Sequence, residues 1–197
     1  MGVCRPIMWE GITMIRAMIG TVAVLAGFAV LERSVDASTG LAGTCTPTQA
    51  YATLHRGEII PVRSEPTPEA TVIGALAART GTRADLARSV VTVTASQSGW
   101  ARLALSTAGD YRAADAGVAQ PYGWVPADLL TVDARVDGPI TVYSRPGMLG
   151  RALTTIEGDD MKFRVLGCRG EWLQVINARH GNIWIDKWCA KEDGCRS

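Results

Sequence analysis

A short pattern that occurs twice constrains the fold of this chain more than any other feature. Val-x-Ser-x-Pro is found in PVRSEP, from Pro61 to Pro66, and again in TVYSRP, from Thr141 to Pro146. The same landmarks follow each copy in order: a glycine, a leucine, an alternating apolar segment, a Gly-Trp or Gly-x-Trp segment, and a tryptophan beside an aliphatic residue. A chain of 197 residues can bury one ordinary core or two small ones. The ordered recurrence predicts two small units built on one plan.

The two copies differ in length, and the difference falls between the landmarks. The first copy takes 62 residues from Val62 to Trp124, whereas the second takes 42 from Val142 to Trp184. The largest insertion is the Ala- and Gly-rich segment from Ser106 to Pro121. Because loops on a fixed frame of strands tolerate such insertions, we expect this segment to be a loop.

Hydrophobic periodicity predicts strands in both copies. WARLAL, from Trp100 to Leu105, and WLQVI, from Trp172 to Ile176, alternate apolar and polar residues. Only RADLARS, from Arg83 to Ser89, looks briefly helical. Short strands with frequent Gly and Pro indicate an all-β fold, and closing each sheet into a small barrel would remove its exposed edges.

These landmarks resemble bacterial SH3 domains, the small β-barrels that are commonly attached to cell-envelope proteins. The closing segment GWVPADLL, from Gly123 to Leu130, is also similar to the end of eukaryotic SH3 domains. The resemblance implies two tandem SH3-like domains, at residues 59–132 and 139–197. Residues 38–58 are then a lead-in, and Thr131 to Gly138 is only a linker.

Membership in this family would imply a binding module that recognises peptidoglycan or peptide. Such modules often accompany a cell-wall amidase or peptidase domain, but residues 38–58 are too short to form one. We therefore expect a non-catalytic protein without cofactor or metal. A periplasmic protein is the alternative partner. The net charge of +1 and the absence of like-charge runs argue against nucleic acid or an anionic membrane as the main partner.

The N-terminus has the anatomy of a secretory signal peptide. Fifteen uncharged residues, Ala17 to Leu31, follow Arg16, and a small-x-small site ends at Ala37. This run would cover about 22 Å as a helix, which is less than a bilayer core of roughly 30 Å. We expect cleavage after Ala37 and a periplasmic or secreted protein, with translation beginning at Met1 or Met14.

Export would leave four cysteines in an oxidising compartment. Four cysteines permit three pairings, of which we favour Cys189 with Cys195 and Cys45 with Cys168. A zinc site formed by Cys168, His180, Cys189 and Cys195 is the alternative, although the spacing matches no standard zinc motif. A Cys168–His180 dyad is the only pair that could support a hydrolase, and disulfide formation competes with it.

Candidate ligand-binding residues come from the strand faces and from the repeated pattern. Each of Trp100 and Trp172 shares its predicted strand face with a polar residue two positions later, which favours exposure. Trp124 and Trp184 adjoin aliphatic residues, so we expect them to pack into or over the core, and Trp188 could cover the C-terminal disulfide. The candidates for ligand binding are Arg63, Trp100, Arg102, Tyr143, Trp172 and Gln174.

Overall fold

A computed structural model describes residues 43–78, 86–118, 120–134, 136, 138–157, 162–179, 181–191 and 195. The predicted signal peptide and its cleavage site lie outside the described residues. No helix in the described ranges is long and apolar enough to span a bilayer.

The described chain is all-β, as predicted. Two single-turn 3-10 helices, Leu105–Thr107 and Ala127–Leu129, interrupt the strands. The thirteen strands are β1 (Gly43–His55), β2 (Ile59–Arg63), β3 (Val72–Ala77), β4 (Leu86–Gln97), β5 (Trp100–Ala104), β6 (Tyr111–Ala113), β7 (Tyr122–Pro126), β8 (Leu130–Asp133), β9 (Ile140–Tyr143), β10 (Ala152–Ile156), β11 (Lys162–Arg169), β12 (Trp172–Asn177) and β13 (Gly181–Ile185).

These strands form one sheet with two halves, and the strands of each half follow an equivalent order from the centre of the sheet to its edge. The order is β10-β9-β13-β12-β11-β8-β1-β4-β5-β7-β2-β3-β6, and neighbouring strands in it are antiparallel. We call β1–β7 copy 1 and β8–β13 copy 2. The copies meet where β1 pairs with β8, at Tyr51 opposite Thr131 and Ala52 opposite Leu130. The sheet is open, with β10 and β6 at its edges, so closed tandem barrels are not shown.

The repeat extends to the residue register of the strands. Arg102 lies opposite Trp124 in copy 1, and Gln174 lies opposite Trp184 in copy 2. A register shift follows Val93 in β4, and the same shift follows Val165 in β11. The common pattern of pairing gives each strand of copy 2 a counterpart in copy 1, whereas β6 has none among the described strands.

The first strand of each copy lies outside the limits that the repeated pattern suggested. Ala50 pairs with Val91 in β4, and its counterpart Val132 pairs with Phe163 in β11. β1 and β8 are therefore equivalent strands. The interpretation of Thr131 to Gly138 as only a linker is wrong at Thr131–Asp133, because these residues pair with both β1 and β11.

Two further local expectations need correction. The helix expected at RADLARS does not form at Leu86–Ser89, because these residues pair with β1 as the start of β4. The remainder of that segment, residues 83–85, is outside the described residues. The insertion from Ser106 to Pro121 is not loop throughout, since β6 within it pairs with β3.

Inward-facing side chains of both copies form one connected apolar core. Their alternation is clear in β5, where Ala101 and Leu103 are buried and their neighbours are half-buried. The largest fully buried side chains include those of Tyr51, Phe163, Leu54, Leu76, Leu103 and Leu130. Burial of this kind is the main stabilising contribution to a fold, and here it also joins the copies.

The N-terminal end of β1 joins the copies a second time. Cys45 forms a parallel bridge with Gly170, and the Thr46 N–H donates to the Gly170 carbonyl at 2.8 Å. Cys45 and Cys168 form a disulfide with Cα atoms 5.6 Å apart, and Cys189 and Cys195 form the other. Both predicted pairings are confirmed.

Candidate binding site

The predicted ligand-binding residues fall into two equivalent rows across the sheet. Row 1 is Arg102, Trp124 and Arg63, which are side by side on β5, β7 and β2. Row 2 is Gln174, Trp184 and Tyr143, which are side by side on β12, β13 and β9. Trp100 and Trp172 precede the two rows by two residues on β5 and β12, so each lies on the same face as its row.

Both rows lie on the sheet face opposite the core. Val125 and Ile185 are buried, whereas the adjacent Trp124 and Trp184 are half-buried. These two tryptophans, which we expected to pack into or over the core, are half-buried and lie on the face opposite their buried aliphatic neighbours. Alternation along β7 and β13 was the signal that could have assigned them to the binding face, since successive side chains point to opposite faces.

Row 1 carries two cations whose positions are fixed by neighbouring groups. Arg63 Nη1 donates to the Ala70 carbonyl at 2.7 Å, and Arg102 Nε donates to Thr94 Oγ1 at 3.1 Å. The Arg102 guanidinium also lies 4.7 Å from the centre of the Tyr122 ring. Held guanidinium groups beside aromatic rings suit a ligand with a carboxylate or another anionic group.

Row 2 is neutral and more aromatic. The Tyr143 and Trp172 rings meet edge to face, with centroids 4.9 Å apart. Gln174 Nε2 donates to Asn182 Oδ1 at 3.0 Å, which orients the amide. Aromatic rings beside an oriented amide provide apolar surface and directional hydrogen bonding, a combination that fits sugar rings and peptide groups.

A cleft of about 670 Å³ adjoins row 2 and separates two hairpin turns. Gln97, Ser98 and Gly99 line one wall, residues 166–170 line the other, and Gln174 and Trp184 of row 2 also contribute. Its volume lies in the range of small-molecule binding sites. Row 2 and the cleft therefore form one continuous candidate site, which we call the cleft site.

Ser96 holds the walls of the cleft site together. Its hydroxyl accepts a hydrogen bond from the Cys168 N–H at 2.9 Å and lies 3.1 Å from the Cys168 carbonyl, to which it donates. A Cβ added to Gly43 would lie 2.4 Å from that carbonyl, so only glycine fits there. The backbones of Gly43 and Cys168 are thus in close contact where they line the cleft. The Cys45–Cys168 disulfide fixes this contact.

A polar cluster of buried Tyr51 and Asp133 with half-buried Arg88 lies at the junction of β1 and β8. The Tyr51 hydroxyl donates to Asp133 Oδ1 at 2.5 Å, Arg88 Nη1 lies 2.7 Å from Asp133 Oδ2, and the Arg88 guanidinium covers the Tyr51 ring. Burial raises the pKa of Tyr51, and the hydrogen bond to Asp133 raises it further. Each member is matched by another, so we assign the cluster to fixing the register between the copies.

The disulfides leave no free thiol for the Cys168–His180 dyad or for the proposed zinc site. Cys168 is bonded to Cys45, so no thiolate is available at that position, and His180 is outside the described residues. The cysteines of the zinc alternative belong to two separate disulfides. The described residues contain no group of three or more side chains able to hold a metal ion.

A second depression, of about 480 Å³, lies beside Trp188 and contains none of the predicted ligand-binding residues. Trp188 Nε1 donates to the Gln49 carbonyl at 3.0 Å. This contact ties the C-terminal segment to β1, and it accounts for the tryptophan without a ligand.

Comparison with known proteins adds no assignment: no family model matches the chain, and no curated protein shows significant similarity to it.

Proposed function

We propose that this chain is an exported, non-catalytic binding protein of the cell envelope, built from two SH3-like units that recognise cell-wall peptide or glycan. The observation that carries the proposal is the meeting of Gln174, Trp184, Tyr143 and Trp172 on one outward face beside a cleft of ligand size. Such a surface combines aromatic area with hydrogen-bonding groups, as binding sites for sugars and peptides do.

Export is supported by the two disulfides. Cysteine pairs of this kind persist in the periplasm or outside the cell, whereas cytosolic thiols are kept reduced. The same pairs remove the thiol that a Cys-His hydrolase would need, which favours binding over catalysis.

Cell-wall peptides carry carboxylates, and the two rows offer different chemistry for them. Row 1 supplies Arg63 and Arg102, which suit an acidic group, and the neutral row 2 suits a sugar ring or an uncharged part of the peptide. We expect row 2 and its cleft to contribute most of the binding free energy, because aromatic groups in a concave site exclude water best.

Co-sedimentation with purified peptidoglycan tests this function. The disulfide-intact chain is expected in the pellet, and Trp172→Ala or Trp184→Ala is expected to weaken binding by about tenfold or more. Trp100→Ala should weaken it less. Trp188→Ala, whose side chain lies at the second depression, is the matched control and should bind as the unchanged chain does.

Two outcomes would count against the proposal. Retention of the chain in the supernatant, together with capture of a periplasmic protein, would favour the alternative role in protein–protein interaction. Equal binding by the Trp172→Ala, Trp184→Ala and Trp188→Ala variants would place any peptidoglycan site elsewhere on the molecule.

A further inference from the structure

The two copies differ at the outer edge of the sheet: copy 1 has an additional edge strand there, and copy 2 does not have one among the described strands. In copy 1, β6 covers β3, with Gly74 opposite Ala113, Ala75 opposite Arg112 and Leu76 opposite Tyr111. In copy 2, β10 is the counterpart of β3, and among the described strands it pairs only with β9. The extra strand comes from the insertion that copy 2 lacks.

Register identifies the part of β10 that corresponds to the covered part of β3. Val62 lies opposite Gly74, and its counterpart Val142 lies opposite Thr154. Thr154–Ile156 is therefore equivalent to Gly74–Leu76, the segment with which β6 pairs. A bulge precedes both segments, and in copy 1 it does not prevent pairing. Copy 1 thus demonstrates that this edge of the fold accepts an antiparallel strand.

The edge strand β10 has a bulge before Thr154, but it lacks charges and prolines, and no other described strand covers its outer edge. Its sequence ALTTI has no charge and no proline, and its first four residues are exposed, with Leu153 at 44%. Natural proteins commonly protect edge strands with charges, prolines or a covering segment. An edge without charge or proline that is rich in β-branched residues favours pairing with another chain.

Charges at the ends of β10 favour a second copy of this chain as the partner that pairs with this edge. Arg151 precedes the strand and Glu157 follows it, and both are exposed. Antiparallel pairing of two β10 strands about Thr154 places Arg151 of each copy opposite Glu157 of the other. Opposite charges then meet at both ends, as in favourable cross-strand pairs. Parallel pairing would bring like charges together instead.

From this geometry we propose that two molecules of this chain associate through antiparallel pairing of their β10 strands, forming a symmetric dimer with one sheet continuous across it. The contact is isologous, so it closes and does not extend into a filament. A single short strand pair places the interface in the weak class, below about 1,200 Å² of buried surface. This inference is independent of the ligand proposed above.

Sedimentation equilibrium of the disulfide-intact chain over a wide concentration range tests the dimer. The average mass is expected to rise toward twice that of the monomer. Arg151→Glu should weaken the dimer about tenfold, because two exposed ion pairs become repulsive. The double variant Arg151→Glu/Glu157→Arg should restore it, since the opposite charges again face each other.

Two further variants make the result specific to β10. Arg145→Glu changes the net charge by the same amount at an exposed position outside the strand, and it should leave association unchanged. Thr155→Pro should abolish association, because its counterpart Ala75 directs its N–H toward β6, and its circular dichroism spectrum checks that the chain still folds. A chain that stays monomeric at all concentrations, or a dimer unaffected by the charge reversal and the proline, would overturn the proposal.

Discussion

Copy 1 and copy 2 share one scheme of strand pairing, yet they differ in the chemistry of their outer faces and in the protection of their edges. Row 1 contains Arg102 and Arg63, and β6 covers the adjacent edge. Row 2 contains Gln174 and Tyr143 beside an open edge and the cleft. The difference shows that a fixed frame of paired strands leaves surface residues and insertions free to diverge.

The disulfide between the copies is expected to have the largest effect on stability. Cys45 and Cys168 are separated by 123 residues, whereas Cys189 and Cys195 are separated by 6. Loop-closure entropy assigns about 5 kcal/mol to the first bridge and about 2 kcal/mol to the second. Denaturant unfolding of Cys45→Ser/Cys168→Ser and Cys189→Ser/Cys195→Ser measures both. Equal losses of unfolding free energy in the two variants would show that the disulfide between the copies stabilises the fold no more than the C-terminal disulfide does.

The equivalent core positions Gly123 and Ile183 give the next comparison. A Cβ on Gly123 would lie 2.3 Å from Val62 Cγ1, whereas copy 2 holds a buried isoleucine at the same register. Ile183→Ala should cost about 2–5 kcal/mol by opening a cavity, and Gly123→Ala about 1–3 kcal/mol by overpacking. Urea unfolding checks both values. A neutral Gly123→Ala would mean that Val62 can move, and the two cores would then be less different than their residues suggest.

The sequence predicted the all-β class, the repeat and both disulfides because these depend on local patterns or on a short list of cysteines. It did not predict β1 and β8 as the central strands. In β1, Ala50, Tyr51 and Ala52 are all buried, so the strand lacks the alternation that reveals a half-exposed strand. The two strands also share no sequence similarity, and only their pairing partners show that they are equivalent.

Tertiary context also decided the start of β4. Leu86–Ser89 consists largely of residues that favour helix, but pairing with β1 makes it a strand. Trp124 and Trp184, which we expected to pack into or over the core, are half-buried on the opposite face from their buried aliphatic neighbours, a position that strand alternation alone could have indicated. The cleft site could not be predicted, because its walls come from turns far apart in the chain.

The junction of the copies should give stability a dependence on alkaline pH. Burial and the Asp133 hydrogen bond raise the pKa of Tyr51 in the folded chain, while an exposed phenol titrates near about 10. The unfolded chain therefore releases this proton first as the pH rises. The contribution of Tyr51 is fully present below about pH 10 and declines above it.

Tyr51→Phe tests this dependence. The variant should lose about 1.5–3 kcal/mol at neutral pH, because Asp133 loses a hydrogen-bond donor. Its stability should also fall less steeply above about pH 10 than that of the unchanged chain. Thermal unfolding across the alkaline range provides both measurements. Parallel curves for the two proteins would show that the Tyr51 hydroxyl does not link the copies energetically.

The smallest expected effect concerns Arg102, one of the two cations of row 1, whose counterpart in row 2 is the neutral Gln174. Arg102 stacks over Tyr122, which is 47% exposed, so their coupling should be about 0.5–1 kcal/mol. A double-mutant cycle of Arg102→Gln and Tyr122→Leu, followed by urea unfolding, isolates this term. Pairing Gln174→Ala with Tyr122→Leu is the control across the copies and should give additive effects. Additivity in both cycles would mean that the stacking contributes nothing to stability, and the arginines of row 1 would then be distinguished from row 2 by their charge toward a ligand alone.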